Sequence, residues 1–345
     1  MKFFYSLFVT LVTVFFLIPS LLVNADENIA PIIVEPIYPD NQIKSTKGYF
    51  DLIVDEKSSQ SLNVRIKNNQ NKTLIVYIEA ANAYTNPKGG IMYEAEMSSP
   101  HTSLLSDAIQ LKDYITVTDS VIIPPYSQTV VPLTLQVPET NAATILGGVR
   151  FKTINEDAKK DKVQNNETAN FILKTESVHA IAIQLSLPNE TKPDFTFGSA
   201  SFSPDNKGEI LLEMINNAHY IQKDINGTYI VSDERENTLF SGEFPSIKMA
   251  PKSKINFPIS WNHSVMEDGM YTLEIKVNIN GIEVLDSKTF SIKQKDVQEY
   301  IEKNGAINPN VKVTEKTALP VWIWLIAGFL FGLIMYLIGR RKNTT

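Results

Sequence analysis

Hydrophobic and polar residues alternate through most of this chain. Phe50, Leu52 and Val54 share one parity, as do Leu62, Val64 and Ile66, then Val76, Ile78 and Ala80. Val131, Leu133, Leu135 and Val137 alternate with Pro132, Thr134 and Gln136. A period of two marks strands with one buried face, as in antiparallel sheets. The intervening turns are rich in Asn, Asp, Pro and Gly, for example Asn68-Asn69-Gln70-Asn71. Asn280-Gly281, between Val277–Ile279 and Ile282–Val284, is the sharpest hairpin signal. Helical patterns are scarce: a short one spans Asp296–Asn304 and stops at Gly305. The reading is all-β.

The pattern repeats. Pro125-Tyr126-Ser127 precedes Pro132 as Pro251-Lys252-Ser253 precedes Pro258, and Asn68-Asn69 and Asn216-Asn217 each close an upstream strand. This predicts two tandem immunoglobulin-like seven-strand sandwiches, over 30–188 and 189–294. The boundary falls at Pro188-Asn189-Glu190-Thr191-Lys192-Pro193. The first copy is longer by an insertion at 86–113, with Gly89-Gly90, Tyr93, Met97, Pro100 and a possible helix near Ser103–Asp113. Such an insertion either carries a binding surface or covers a sheet edge. Residues 295–318 read as a short helix and linker.

The two ends differ from this pattern. Phe3–Val23 is an apolar run after Lys2, followed by Val23-Asn24-Ala25. It reads as a signal peptide, 1–25, cleaved between Ala25 and Asp26. Leu319–Ile338 holds 20 residues without a charge, with Trp322, Trp324 and Tyr336 near its ends. As a helix it is about 30 Å long, enough to span a bilayer. The tail 339–345 carries Arg340, Arg341 and Lys342, which places the C-terminus in the cytoplasm and the sandwiches outside. Leu319-Pro320-Val321-Trp322 lacks the Thr-Gly of a wall-sorting site, so the span is expected to stay as a single-pass membrane anchor.

Charge and composition narrow the function classes. Lys2, Arg340, Arg341 and Lys342 are the only charges within 1–25 and 319–345, so the remainder holds 28 bases against 38 acids, a net −10. A surface of that sign argues against nucleic acid as a partner. The absence of cysteine excludes disulfides, thiol catalysis and zinc–thiolate sites. In an exported chain it suggests a Gram-positive source. His101, His179, His219 and His263 form no metal-ligand spacing, and no nucleophile elbow, P-loop or dinucleotide motif occurs. Asp205-Asn206-Lys207-Gly208-Glu209 lacks the spaced glutamate of a calcium loop and reads as a turn. The Asn-x-Ser/Thr triplets at Asn71, Asn166, Asn189, Asn226 and Asn262 read as turn chemistry. No cofactor is expected.

Several segments together carry a resemblance: Ile32-Ile33-Val34-Glu35-Pro36, Gly48-Tyr49-Phe50-Asp51-Leu52, Val64-Arg65-Ile66-Lys67-Asn68, Pro138-Glu139 and, most specific, Leu146-Gly147-Gly148-Val149-Arg150-Phe151. With the signal peptide, second sandwich, terminal helix and basic tail, the chain resembles the WxL-interacting proteins of low-GC Gram-positive bacteria. The resemblance implies an N-terminal peptidoglycan-binding domain, a second domain for host-matrix protein, and complexes with WxL-domain surface proteins. The chain has no WxL signature of its own: Asn262-His263 follow Trp261, and Trp322 and Trp324 lie in the predicted span.

The leading expectation is thus a non-enzymatic, membrane-anchored scaffold for peptidoglycan and a WxL-domain protein. The alternatives are an adhesin for host extracellular-matrix protein and, from another class, a cell-wall glycan-modifying enzyme. Candidate ligand-binding residues are Tyr84 and Tyr93, either stacking on sugars or capping the core, and Arg150. Exposed strand edges are the other candidate binding margin. A 13-residue linker reaches at most about 45 Å, which keeps the sandwiches in the zone between membrane and wall.

Overall fold

The computed structural model describes residues 30–155, 175–205, 208–304, 312–313, 326 and 329. The predicted signal peptide and cleavage site, Arg340, Arg341 and Lys342 lie outside them. So does the predicted membrane span, apart from Ile326 and Phe329. Among the described residues no helix is long and apolar enough to cross a membrane.

The first sandwich is built from β1 (Ile32–Ile37), β2 (Phe50–Ile53), β3 (Ser59–Asn68), β4 (Leu74–Thr85), β5 (Ile91–Glu94), β6 (Thr102–Leu104), β7 (Ile115–Thr116), β8 (Ser120–Ile123), β9 (Gln128–Gln136), β10 (Thr144–Asn155) and β11 (Thr175–Ser186), although β6 leaves it. One sheet runs β1-β3-β9-β7; the other runs β2-β11-β10-β4-β5, with β8 also on β4. Alternation does the folding work: Leu62, Val64 and Ile66 on β3 face Val76 and Ile78 on β4 and Phe151 on β10 in a single core. Burial of such side chains contributes about 1.5–3 kcal/mol each.

The second sandwich follows with β12 (Phe195–Ser203), β13 (Glu209–Asn216), β14 (Gln222–Asp233), β15 (Thr238–Met249), β16 (Ser253–Ser260), β17 (Val265–Met266), β18 (Gly269–Ile279) and β19 (Ile282–Ile292). Seven of these form its two sheets, β12-β13-β16 and β15-β14-β18-β19. At the hairpin joining β18 to β19, Asn280 and Gly281 have φ of 52° and 84°, the left-handed pair that a two-residue turn requires. Trp261 is the aromatic centre of this core, with ring centroids 5.2 Å from Tyr271 and 5.4 Å from Phe240. Its indole N–H donates to the Val265 carbonyl at 3.1 Å.

Helix α1 (Gln294–Asn304) packs Val297 and Tyr300 into the same core, and β20 (Lys312–Val313) pairs in parallel with β17. The linker therefore returns to the second sandwich instead of leaving it directly.

The internal repeat is visible in hydrogen bonds. Asn68 Nδ2 donates to the carbonyls of Lys72 at 2.8 Å and Pro124 at 2.9 Å, and its Oδ1 accepts from Gln70 N–H. Asn216 does the same with Tyr220 and Ala250, both at 2.8 Å, and with Ala218 N–H. Tyr126 and Lys252, the middle residues of the two Pro-x-Ser turns, share positive φ, 53° and 49°. Each donates its N–H to the residue two beyond the asparagine, Gln70 or Ala218.

Candidate functional site

The insertion after β4 is not helical over Ser103–Asp113. It contains β5, β6 and a single 3-10 turn, Leu111–Tyr114. The tertiary setting overrides helix formation: Thr102–Leu104 find backbone partners on another sheet, and Leu111 is fully buried in the first core. β6 pairs antiparallel with β16, as Thr102 with Ile255 and Leu104 with Ser253, and becomes an eighth strand of the second sandwich. The insertion therefore covers an edge, and that edge belongs to the other domain.

The Leu-Gly-Gly-Val-Arg-Phe strand is what receives this strap. On the inner face, a methyl group at Gly147 would lie 2.7 Å from Leu111 Cβ and 2.8 Å from the Ala81 carbonyl oxygen. On the outer face, one at Gly148 would lie 3.1 Å from the Tyr93 ring and 2.7 Å from the Ile181 oxygen. Neither position has room for a side chain. Two residues on, Arg150 Nη1 binds Glu79 Oε1 on β4 at 2.9 Å and pairs with Glu94 of β5. Lys152 Nζ reaches the same Glu79 oxygen at 2.7 Å.

The three candidate residues lie near the strap, Tyr93 and Arg150 on the outer face of the sheet and Tyr84 on the opposite face. Tyr84 is buried at the end of β4, opposite Met92. Tyr93 lies half-buried over Gly148, and burial, with Tyr49 adding to it, pushes its phenol well above the ordinary tyrosine range. Arg150 fastens Glu94 to the sheet. Tyr93 and Arg150 thus tie the strap to the sheet.

The strap leads into the seam between the sandwiches. Ala83, Leu146 and Tyr93 pack with Ile221 and Ala250 of the second sandwich. Thr85 Oγ1 lies 2.6 Å from Ser253 Oγ and accepts from Ala250 N–H at 2.9 Å, while its carbonyl accepts from Thr102 Oγ1 at 2.7 Å. Leu105 N–H donates to the Lys252 carbonyl, and Lys252 Nζ donates to Asp107 Oδ2 at 2.5 Å. His219 lies at this seam, where burial and the Lys252 cation hold its imidazole below the ordinary histidine value, with Asp107 opposing. Buried apolar contact and satisfied hydrogen bonds resist hinging.

The strand edges are blunted. β19 turns Asp286 and Lys288 toward the side of Ile275 and Leu273, as an ion pair 3.0 Å apart. Pro36, Pro132 and Pro245 interrupt the donor rows of β1, β9 and β15, and β12 shifts register between Phe197 and Ala200. These are devices against strand addition. Broad faces are the other binding margin.

One such face is apolar. On the outer side of the larger sheet of the first sandwich, Ile75 of β4 pairs with Ile122 of β8, and Tyr77 pairs with Lys152 of β10, which pairs with Val178 of β11. Continuing the β4–β10 register sets Ile154 beside Ile75. These five apolar side chains, with Tyr77 among them, are between 42 and 68% exposed. Glu79 and Arg150 border them on the side toward the strap, and Lys152 lies among them, between Tyr77 and Val178, with its ammonium on Glu79. A second concavity, about 730 Å³, lies on the second sandwich between Ile230, Lys276 and Leu285.

Residues 33–153 match the family model described as WxL Interacting Protein, peptidoglycan binding domain; residues 168–302 match WxL Interacting Protein, host binding domain. The chain belongs to the WxL-interacting protein family. Both matched regions are described as binding domains. The second match begins upstream of β11, a strand hydrogen-bonded into the first sandwich. No curated protein matches by sequence. Solved structures with some likeness include a chain of a chaperone–tip adhesin complex of CFA/I fimbriae biogenesis, 16% identical, covering 74% of this chain and 98% of that one, TM-score 0.32. Another is from the CsuC–CsuE chaperone–tip adhesion subunit pre-assembly complex of Acinetobacter baumannii, 11% identical, covering 76% and 99%, TM-score 0.34. Values this low carry no statement about what this chain binds.

Proposed function

We propose that this protein is a non-enzymatic scaffold of the cell surface. In this reading the first sandwich engages peptidoglycan, a WxL-domain protein is the partner, and the 319–338 span anchors the chain with the sandwiches outside. The observation that carries it is the pair of family matches, in order, on two sandwiches joined by a strap. A scaffold that couples two ligands gains from a joint that resists bending. The fold-back of β20 supports a position close to the membrane. From Val313 to the start of the predicted span at Leu319, six residue steps reach at most about 20 Å.

Co-sedimentation of the full chain with purified sacculi, and its recovery with a WxL-domain protein from wall extracts, tests this. Failure of the chain to sediment with sacculi overturns the peptidoglycan assignment. A second reading, adhesion to host-matrix protein, is favoured by the description of the second matched domain. Binding of the full chain to immobilised matrix protein without any WxL protein would support it.

A further inference from the structure

We infer that the exposed apolar row on the first sandwich, Ile122–Ile75–Ile154 with Tyr77 and Val178 beside it, is the surface that docks the Trp-x-Leu segment of the partner. This rests on the partner reading above and assigns it a place.

The outer face of β4 and β10 is one continuous surface used in two halves. Toward the strap it carries Ala83, Leu146 and Gly148, all covered by Tyr93 and the second sandwich. Beyond the paired Glu79 and Arg150, the same two strands present Ile75, Tyr77 and Ile154, with Lys152 beside Tyr77, and nothing lies over the three among the described residues. The bare half thus lies on the same two strands as the observed domain interface, across the Glu79–Arg150 pair, and carries aliphatic and aromatic side chains with charged neighbours. Clustered large apolar side chains on a surface mark an interaction site; single ones do not.

The partner's chemistry follows from the family description, which names an interaction with WxL. In an extended segment, residues two apart project to the same side, about 7 Å from each other. Trp and Leu of Trp-x-Leu therefore form a two-point apolar anchor. Neighbouring strands lie about 4.8 Å apart, so three residues in a row across β8, β4 and β10 span about 10 Å, which takes both anchors side by side. Tyr77 offers its ring edge or face to the indole, the arrangement aromatic pairs favour. On β11, Val178 flanks Lys152 and Glu176 stands opposite Ile154. Sugars would be served better by several polar planar groups, and the centre of this row has none.

The test uses the full chain and a purified WxL-domain protein from the same organism, with affinity measured directly. Ile75→Glu/Ile122→Glu is expected to weaken binding at least tenfold with an unchanged melting temperature. Val130→Glu, on the opposite sheet of the first sandwich, is expected to bind like the parent. Replacing Trp and Leu of the partner's motif by Ala is expected to cause a similar loss. Should the glutamate pair perturb folding, Tyr77→Ser/Ile122→Ser serves, with an expected weakening of severalfold. Parent-like binding by the face variants or by the motif variant overturns the assignment and leaves the partner reading intact. No binding by the parent chain overturns the partner reading, and the docking surface with it.

Discussion

Thr85 Oγ1 and Ser253 Oγ lie 2.6 Å apart although 168 positions separate them, and their contact closes the seam between the two sandwiches. Thr85 sits at the end of β4 and Ser253 at the start of β16, where β6 also docks. Hydroxyl, strap and apolar contact therefore meet at one point. Replacing Thr85 by Val keeps the shape and removes the acceptor of Ala250 N–H. The expected cost is about 1–3 kcal/mol, the usual penalty for an orphaned buried donor, read by chemical denaturation. Small-angle scattering should show a broader spread of interdomain angles.

The two glycines of the Leu-Gly-Gly-Val-Arg-Phe strand predict an effect of similar size. Gly148→Ala brings a methyl group against the Ile181 oxygen and the Tyr93 ring; overpacking of this kind costs about 1–3 kcal/mol. Hydrogen exchange should rise first in β5 and β6. If exchange rises uniformly across the molecule, the strand's role as receiver of the strap is wrong.

Arg150 has a cleaner control. Arg150→Met keeps most of the apolar stem but removes the Nη1 that meets both Glu79 and Glu94. Loosening of the strap without unfolding of the first core is expected, seen as proteolytic nicking within 86–113 under conditions that leave the parent intact.

The matching asparagines predict matching losses. Asn68→Ala and Asn216→Ala each remove the donor to several carbonyls, among them a buried one, that of Ile123 or of Ala250. About 1–3 kcal/mol is expected in each case by denaturant titration. A cost in one sandwich only would break the equivalence.

His219 predicts a pH dependence. Burial and Lys252 hold its imidazole below the ordinary value near 6.5, so the unfolded chain binds the proton more readily. Its stabilising contribution is full above that value and declines as pH falls toward the lowered folded pKa. The parent should lose melting temperature relative to His219→Gln as pH drops below about 6.5. Parallel curves for the two would remove His219 from the account.

Local order dictated the strands, the turns and the repeat. An alternation of two can bury one face of a strand only by making a sheet, and Asn280-Gly281 or the Pro-x-Ser turns need no distant partner to bend the chain. Val297 and Tyr300 likewise follow the short helical period they occupy. Tyr84, Tyr93 and Arg150 stood out as candidates, but the packing of Tyr93 on Gly148 and the bridge from Arg150 to Glu79 and Glu94 did not. The signal for that packing was Gly147-Gly148, two adjacent residues without side chains in a strand that otherwise alternates. What those glycines leave space for is set by Leu111 and Tyr93, which arrive from elsewhere in the chain. The pairing of Thr102–Leu104 with β16 is longer-range still. Backbone hydrogen bonding is nearly blind to side-chain identity, so three residues carry no mark of the sheet they will join. Only the closing of both sandwiches around the insertion decides that, and the same closing covers one half of the β4–β10 face and leaves Ile75, Ile122 and Ile154 bare.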